Sequence, residues 1–450
     1  MNDWIWWWNF GFPTLVGGAL LWSSFVQNQR RLELWRETLA SCRLTEEESS
    51  GFFSWRAKLT ARSGPLEVRI ADVGGKGTQI KVVIEGPEGF SALELRRQVL
   101  KLWADEIEIG DEDFDDAFLI EGPIRPLCAR LDADMRRQLV RASAACNALE
   151  IGGGQLRVEV SEETLPRILP LLLYISRQLA QPVDVERQIA KNARHDPKAG
   201  VRLFNLLLLI RERPGDPETL RALRRACSDA SPEIRLRAAL ELGEEGDNAL
   251  LKLAESSSDD ASCAQAVSHL GGRLPLGKAK NILSSSLQKG LFETARACLE
   301  VLGHYRDAAV GVLEKVMTEE KGELAAAAAL ALGKTGEAAA ERPLLQALRS
   351  EDSDLREAAV TALGRVGSVA AVQPLLEAAE GSLFDLFLRQ AARQAVAEIQ
   401  SRLDGASPGQ ISLAEAEAGQ LSLAPDEAGQ LSLAPDEAGP FPPPGQRLRN

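Results

Sequence analysis

The chain has 450 residues, 45% hydrophobic and 26% charged, enough for about two or three domains with real cores and too apolar for global disorder. Sixty-five acidic against 52 basic residues give a net charge of −13, which argues against a nucleic-acid role for the chain as a whole, because phosphate attraction needs a basic surface. Three histidines and six scattered cysteines without a CxxC pair leave little material for metal sites or a disulfide framework.

No charged residue lies between Asp3 and Arg30, and five of the eight tryptophans fall in the first 22 residues. About 20 helical residues cross a bilayer core, and Trp4 to Trp8 with Trp22 are placed like interfacial belts. A transmembrane helix is predicted over 4–26. A cleaved signal peptide would want a basic start and a small-residue cleavage site, and neither is clear. Arg30, Arg31, Arg36 and Arg43 follow the segment. Positive charge on that flank predicts a single pass through the cell (inner) membrane with the bulk of the chain cytoplasmic.

An α+β domain with an antiparallel sheet is predicted over 46–183. Trp55–Ala61, Leu66–Ile70 and Gln79–Ile84 alternate or run apolar over strand lengths. Asn147–Ile151, three glycines and Gln155–Val160 read as a hairpin. Helices are predicted over Asp132–Ala145, with Asp132 as N-cap, and over Thr164–Leu179. Gly74-Gly75-Lys76-Gly77 lacks the following Ser or Thr and helix of a phosphate cradle, so it reads as a turn. Asp111, Asp113 and Asp115 occupy the first three ligand positions of a calcium loop, but Asp116 and Gly122 stand where glycine and glutamate are needed. The run reads as a solvated acidic turn.

The string Gly110-Asp-Glu-Asp-Phe-Asp-Asp-Ala-Phe118, followed by Leu131 to Leu139, resembles an uncharacterised bacterial domain typically found behind a single amino-terminal membrane helix. The resemblance covers about residues 4–180. It implies the architecture and the anchor, and no activity.

Between 185 and 403 a repeat takes over. Leu-Gly recurs at Leu242, Leu270, Leu302, Leu332 and Leu363, at spacings of 28, 32, 30 and 31 residues. Four positions before each leucine stands a small residue: Ala238, Ala266, Cys298, Ala328 or Ala359. Small residues let neighbouring helices approach, and the glycine is expected to supply a left-handed cap. Helix pairs of about 31 residues that cannot bury their apolar faces alone stack into an all-α solenoid. The units resemble HEAT repeats of the short phycobilisome-lyase type, most clearly at Asp352–Gly367 and Asp229–Gly243. That resemblance implies the fold, and in general a protein-binding scaffold.

The tail, 405–450, carries three decapeptide copies starting at Gly409, Gly419 and Gly429 and a proline-rich end. It is predicted to be disordered, with its Ile-Ser-Leu and Leu-Ser-Leu cores available to add to a partner's sheet edge.

Nothing in the chain forms a catalytic constellation, so no enzyme is expected, and no catalytic, cofactor-binding or metal-ligating residue is assigned. His269 and His304 end repeat helices without a serine or cysteine at motif spacing. Cys263 and Cys298 fall on helix-packing positions, where thiols are usually inert. The predicted function is a membrane-tethered, non-catalytic scaffold for a partner protein of unknown identity, without cofactor. The alternative is a bilin lyase-like enzyme of the same repeat type. Nucleic acid is not an expected partner, because residues 185–403 carry 29 basic against 31 acidic residues.

Overall fold

The computed structural model describes residues 12–50, 57–73, 79–87, 94–97, 107–381, 386–402, 411–413 and 421–423. The chain divides into two compact units, Met1–Gly246 and Asp247–Asn450.

The first unit opens on helix α1, Phe12–Ser41. Among the described residues no helix is long and apolar enough to cross a membrane. In α1 the apolar run gives way to Gln27-Asn28-Gln29 and then arginine, and the carboxyl-terminal half buries Leu32, Trp35 and Leu39 in the domain core. Residues 4–11 of the predicted span lie outside the described residues. The buried end of α1 is pinned by polar contacts. Trp35 Nε1 donates to Glu162 at 2.9 Å, and Arg31 pairs with Glu162 at 3.0 Å and Asp72 at 3.1 Å.

Among the described residues of this unit the strands are β1 (Thr45–Ser50), β2 (Lys58–Ser63), β3 (Leu66–Asp72), β4 (Gln79–Glu85), β5 (Glu94–Arg97), β6 (Phe118–Glu121), β7 (Ala148–Gly152) and β8 (Gln155–Ser161). They form one sheet in the order β1-β2-β3-β4-β8-β7-β5-β6, with every pairing antiparallel. The predicted α+β class with an antiparallel sheet therefore holds. Alternation explains the buried face: Leu66, Val68 and Ile70 of β3 face inward with Ile80, Val82 and Ile84 of β4 and Leu156, Val158 and Val160 of β8. Gly153 and Gly154 both take positive φ, +58° and +78°, as the two-residue β7–β8 turn requires. The predicted Gly74–Gly77 turn lies outside the described residues.

Helices α2 (Glu112–Asp115), α3 (Ile124–Arg130), α4 (Ala133–Ala145) and α5 (Leu165–Ala180) complete the α+β portion. Asp132 caps α4 as predicted, accepting from Met135 N at 2.9 Å. The same unit continues with α6 (Val185–His195), α7 (Ala199–Glu212), α8 (Pro217–Ala226) and α9 (Pro232–Glu241). One buried core runs unbroken from Leu32 to Ala238.

Among the described residues the second unit contains five helix pairs: α10 (Asp247–Ser256) with α11 (Asp260–Leu270), α12 (Leu276–Lys289) with α13 (Phe292–Leu302), α14 (Asp307–Glu319) with α15 (Glu323–Thr335), α16 (Glu341–Ala347) with α17 (Ser353–Val366), and α18 (Val372–Gly381) with α19 (Leu386–Ser401). The five small residues of the sequence pattern are all fully buried.

The glycines divide by role. Gly243 and Gly271 take the expected positive φ, +59° and +49°. Gly303 stays right-handed at φ −56°, and Gly333 and Gly364 lie inside α15 and α17. At these three the requirement is space. A Cβ on Gly333 would come 2.7 Å from Ala362 Cα, and one on Gly364 3.1 Å from Ala395 Cα. In the tail, β9 (Ile411–Leu413) and β10 (Leu421–Leu423) pair antiparallel, so the cores of the first two decapeptides face each other.

Candidate binding surface of the repeat array

Three of the inter-helix turns, those of α6–α7, α8–α9 and α16–α17, are built around an arginine on the second helix. Arg202 Nη1 donates to the carbonyls of Asp196 (2.8 Å) and Pro197 (3.3 Å). Arg235 does the same to Asp229 (2.8 Å) and Ala230 (3.0 Å), and Arg356 to Ser350 (2.8 Å) and Glu351 (2.9 Å). The offset is the same in all three, six and five residues back. Two carbonyls of the turn between the helices are thus satisfied by one guanidinium, which ties the second helix to the turn that precedes it.

A carboxylate then links one pair to the next. Arg202 is bidentate to Asp229, at 2.7 and 2.8 Å. Burial alone would raise the Asp229 carboxyl, but Arg202 and the Ser231 amide hold it below the usual range. In the second unit Asp260 accepts from the Glu293 and Thr294 amides at 3.0 and 2.8 Å, and Asp352 from Gly322 N at 3.0 Å.

Asp196 holds the corresponding place in the first pair, α6–α7, and its guanidinium comes from α4. Arg136, 1% exposed, donates to Asp196 at 2.8 and 3.0 Å and to Asp111 at 2.7 Å. It also donates back to the Leu131 carbonyl at 2.8 Å, as the repeat arginines do to their own turns. Helix α3 packs on α6, where buried Asn192 donates to the Cys128 carbonyl at 2.9 Å and Arg125 pairs with Glu186 and Glu212. The α3–α4 hairpin of the α+β portion therefore stands where a preceding repeat would. It closes the end of the stack that α6 and α7 would otherwise expose, as a capping repeat must.

The acidic run is part of this joint, a correction to its reading as a solvated turn. Asp115 accepts from the Ile109, Gly110 and Asp111 amides at 2.9–3.1 Å. Asp113 pairs with Lys198 at 2.8 Å, and Asp111 is taken by Arg136. Gly110 sits at φ +88° against Gly200 of α7, and a Cβ on it would come 2.3 Å from the Gly200 carbonyl carbon. Phe114 and Phe118 are buried with ring centroids 4.9 Å apart. The motif Gly110–Phe118 thus serves the fold: Asp115 is committed to main chain and Asp111 and Asp113 to cations, while Glu112 and Asp116 stay exposed.

Among the described residues no group of three or more His, Cys, Asp or Glu is placed to hold a metal ion. His195, His269 and His304 are exposed at helix ends. Cys263 is buried with its thiol toward the Leu253 carbonyl at 3.1 Å, and burial pushes the Cys128 and Cys298 thiols up to about 12. A thiol reagent at pH 8 should therefore label half-buried Cys42 and Cys227 in the native protein and reach Cys128, Cys146, Cys263 and Cys298 only on unfolding. Labelling of Cys298 at the rate of Cys42, read by peptide mass, would contradict this packing.

In the second unit, successive second helices pack directly on one another, α11 on α13, α13 on α15, α15 on α17 and α17 on α19, whereas successive first helices make few or no contacts. Phe292 (65% exposed), Leu330 (38%), Leu386 (73%) and Phe387 (78%) are the exposed large hydrophobics among the described residues of this unit. All four lie on second helices, α13, α15 and α19.

Residues 310–397 match the family model described as HEAT repeats. HEAT repeats are therefore present in the carboxyl-terminal part of the array. Among solved structures, the chain is similar to human deoxyhypusine hydroxylase in complex with glycerol, at 17% identity and a TM-score of 0.20, over 48% of this chain and 96% of that one. It is also similar to an engineered protein, at 20% identity and a TM-score of 0.20, over 48% and 90% of the two chains. No curated protein matches it. The helix pairs of the array carry an arginine ladder, at Arg202, Arg235 and Arg356, which the Leu-Gly spacing did not reveal. The signal that could have found it is an arginine six residues after the turn, at Asp196…Arg202, Asp229…Arg235 and Ser350…Arg356.

Proposed function

We propose that the protein is a non-catalytic scaffold whose HEAT repeats bind a partner protein through the layer of second helices. The observation that carries this reading is the confinement of Phe292, Leu330, Leu386 and Phe387 to that layer. Exposed aromatic and aliphatic side chains gathered on one layer are the usual mark of a protein-binding surface. Stacked repeats supply the extended surface on which such anchors can be spread. In this reading residues 4–26 tether the chain to the cell membrane, with the bulk of the chain on the cytoplasmic side.

In-cell crosslinking of the full chain should recover a reproducible protein partner. A Phe292→Asp/Phe387→Asp variant, altered only at exposed positions, should lose it while keeping its melting temperature. Identical recovery by both forms would sink the second-helix surface. Membranes washed in carbonate should retain the intact chain; its release would show that 4–26 does not span.

A further inference from the structure

The near balance of charge over 185–403 conceals a basic region. Between Val185 and Ala226 there are ten basic and five acidic residues. Helices α6 and α8 lie side by side there and enclose a cleft of 940 Å³ lined by Arg194, Arg221, Arg224 and Arg225 along with His195 and Ser228. The two carboxylates in its wall are already committed, Asp196 to Arg136 and Asp229 to Arg202. Arg194 and Arg221 share the single carboxylate of Glu218, at 2.9 and 3.0 Å, and Arg224 pairs with Glu245 at 2.6 Å. Arg225 is exposed, and its guanidinium makes no ion pair or hydrogen bond among the described residues. Arg194 also keeps a buried Nε–H without an acceptor.

Four guanidiniums against Glu218 and Glu245 leave two positive charges uncompensated in one concave site. We propose that this cleft binds a phosphoryl group. A phosphoryl dianion matches the excess charge, and its three oxygens accept from several guanidiniums at once, which a single carboxylate cannot. Glu218 and Glu245 at the rim disfavour a long polyanion, so a compact phosphorylated group fits better than a nucleic-acid strand. The group can be carried by a protein segment or by a free small molecule. The inference goes beyond the partner-binding reading and concerns other residues, so either can fail alone.

The test is calorimetric titration of the full chain in 0.15 M salt with two probes, inorganic pyrophosphate and the peptide Gly-Ala-phosphoserine-Ala-Gly. Both should bind, and the unphosphorylated peptide should not. Arg221→Glu/Arg225→Glu should weaken binding at least tenfold. Arg225→Glu alone, at a guanidinium without an ion pair or hydrogen bond, should reproduce part of that loss at an unchanged melting temperature. Arg237→Glu, which removes a surface charge paired with Glu241 outside the cleft, should leave binding intact. Tighter binding of the phosphopeptide than of pyrophosphate would assign the group to a protein segment, and the reverse to a small molecule. No binding of either probe, or equal weakening by Arg225→Glu and Arg237→Glu, would overturn the proposal.

Discussion

Replacing Arg136 with alanine should destabilise the Met1–Gly246 unit by about 3–5 kcal/mol, because Asp196 would be left as a buried carboxylate without a cation and Asp111 with only Lys198, 3.5 Å away. Both acids are buried with it, so solvent cannot replace the guanidinium. Methionine at 136 with asparagine at 111 and 196 removes the charges together and should recover most of the loss. Denaturant unfolding reads both results, with native-state hydrogen exchange to locate them. Protection should fall in the sheet and in α6–α7 together, since one core joins them. A loss below about 1 kcal/mol for Arg136→Ala would mean that the ion pairs are solvated and the joint between hairpin and repeats is not real.

The second large effect contrasts two glycines inside helices of the array. Gly333→Ala should destabilise by about 1–3 kcal/mol despite alanine's better helix propensity, because the new Cβ would press on the backbone of α17 at Ala362. Gly311→Ala, at an exposed position of α14 with nothing within 4 Å, should stabilise by up to about 1 kcal/mol. Opposite shifts in melting temperature are therefore expected from the same substitution. If both variants are stabilised, the second helices do not pack as closely as described.

This contrast marks what the sequence could convey. The period of the Leu-Gly pairs and the buried small residues before them were legible, because close packing of stacked helices demands the same residue type at the same turn. What Gly303, Gly333 and Gly364 do was not: a glycine required for a left-handed cap and one required for space leave the same letter. The α+β class, the Asp132 cap and the Gly153–Gly154 turn were readable because each depends on neighbours a few residues away. Asp111 was misread because its partner lies 25 residues on, and that partner's other acid, Asp196, a further 60. No local pattern carries such a contact. The arginine cleft was lost in a sum over 219 residues, because compensating acids elsewhere in the array hide a local excess.

The scaffold reading is tested most directly by hydrogen–deuterium exchange on the crosslink-identified partner complex. Bound partner should slow exchange on the second helices, at the start of α13, along α15 and at the start of α19, and leave the first helices α12, α14 and α16 unchanged. Protection confined to the first helices, or no change anywhere in 247–402, would contradict it.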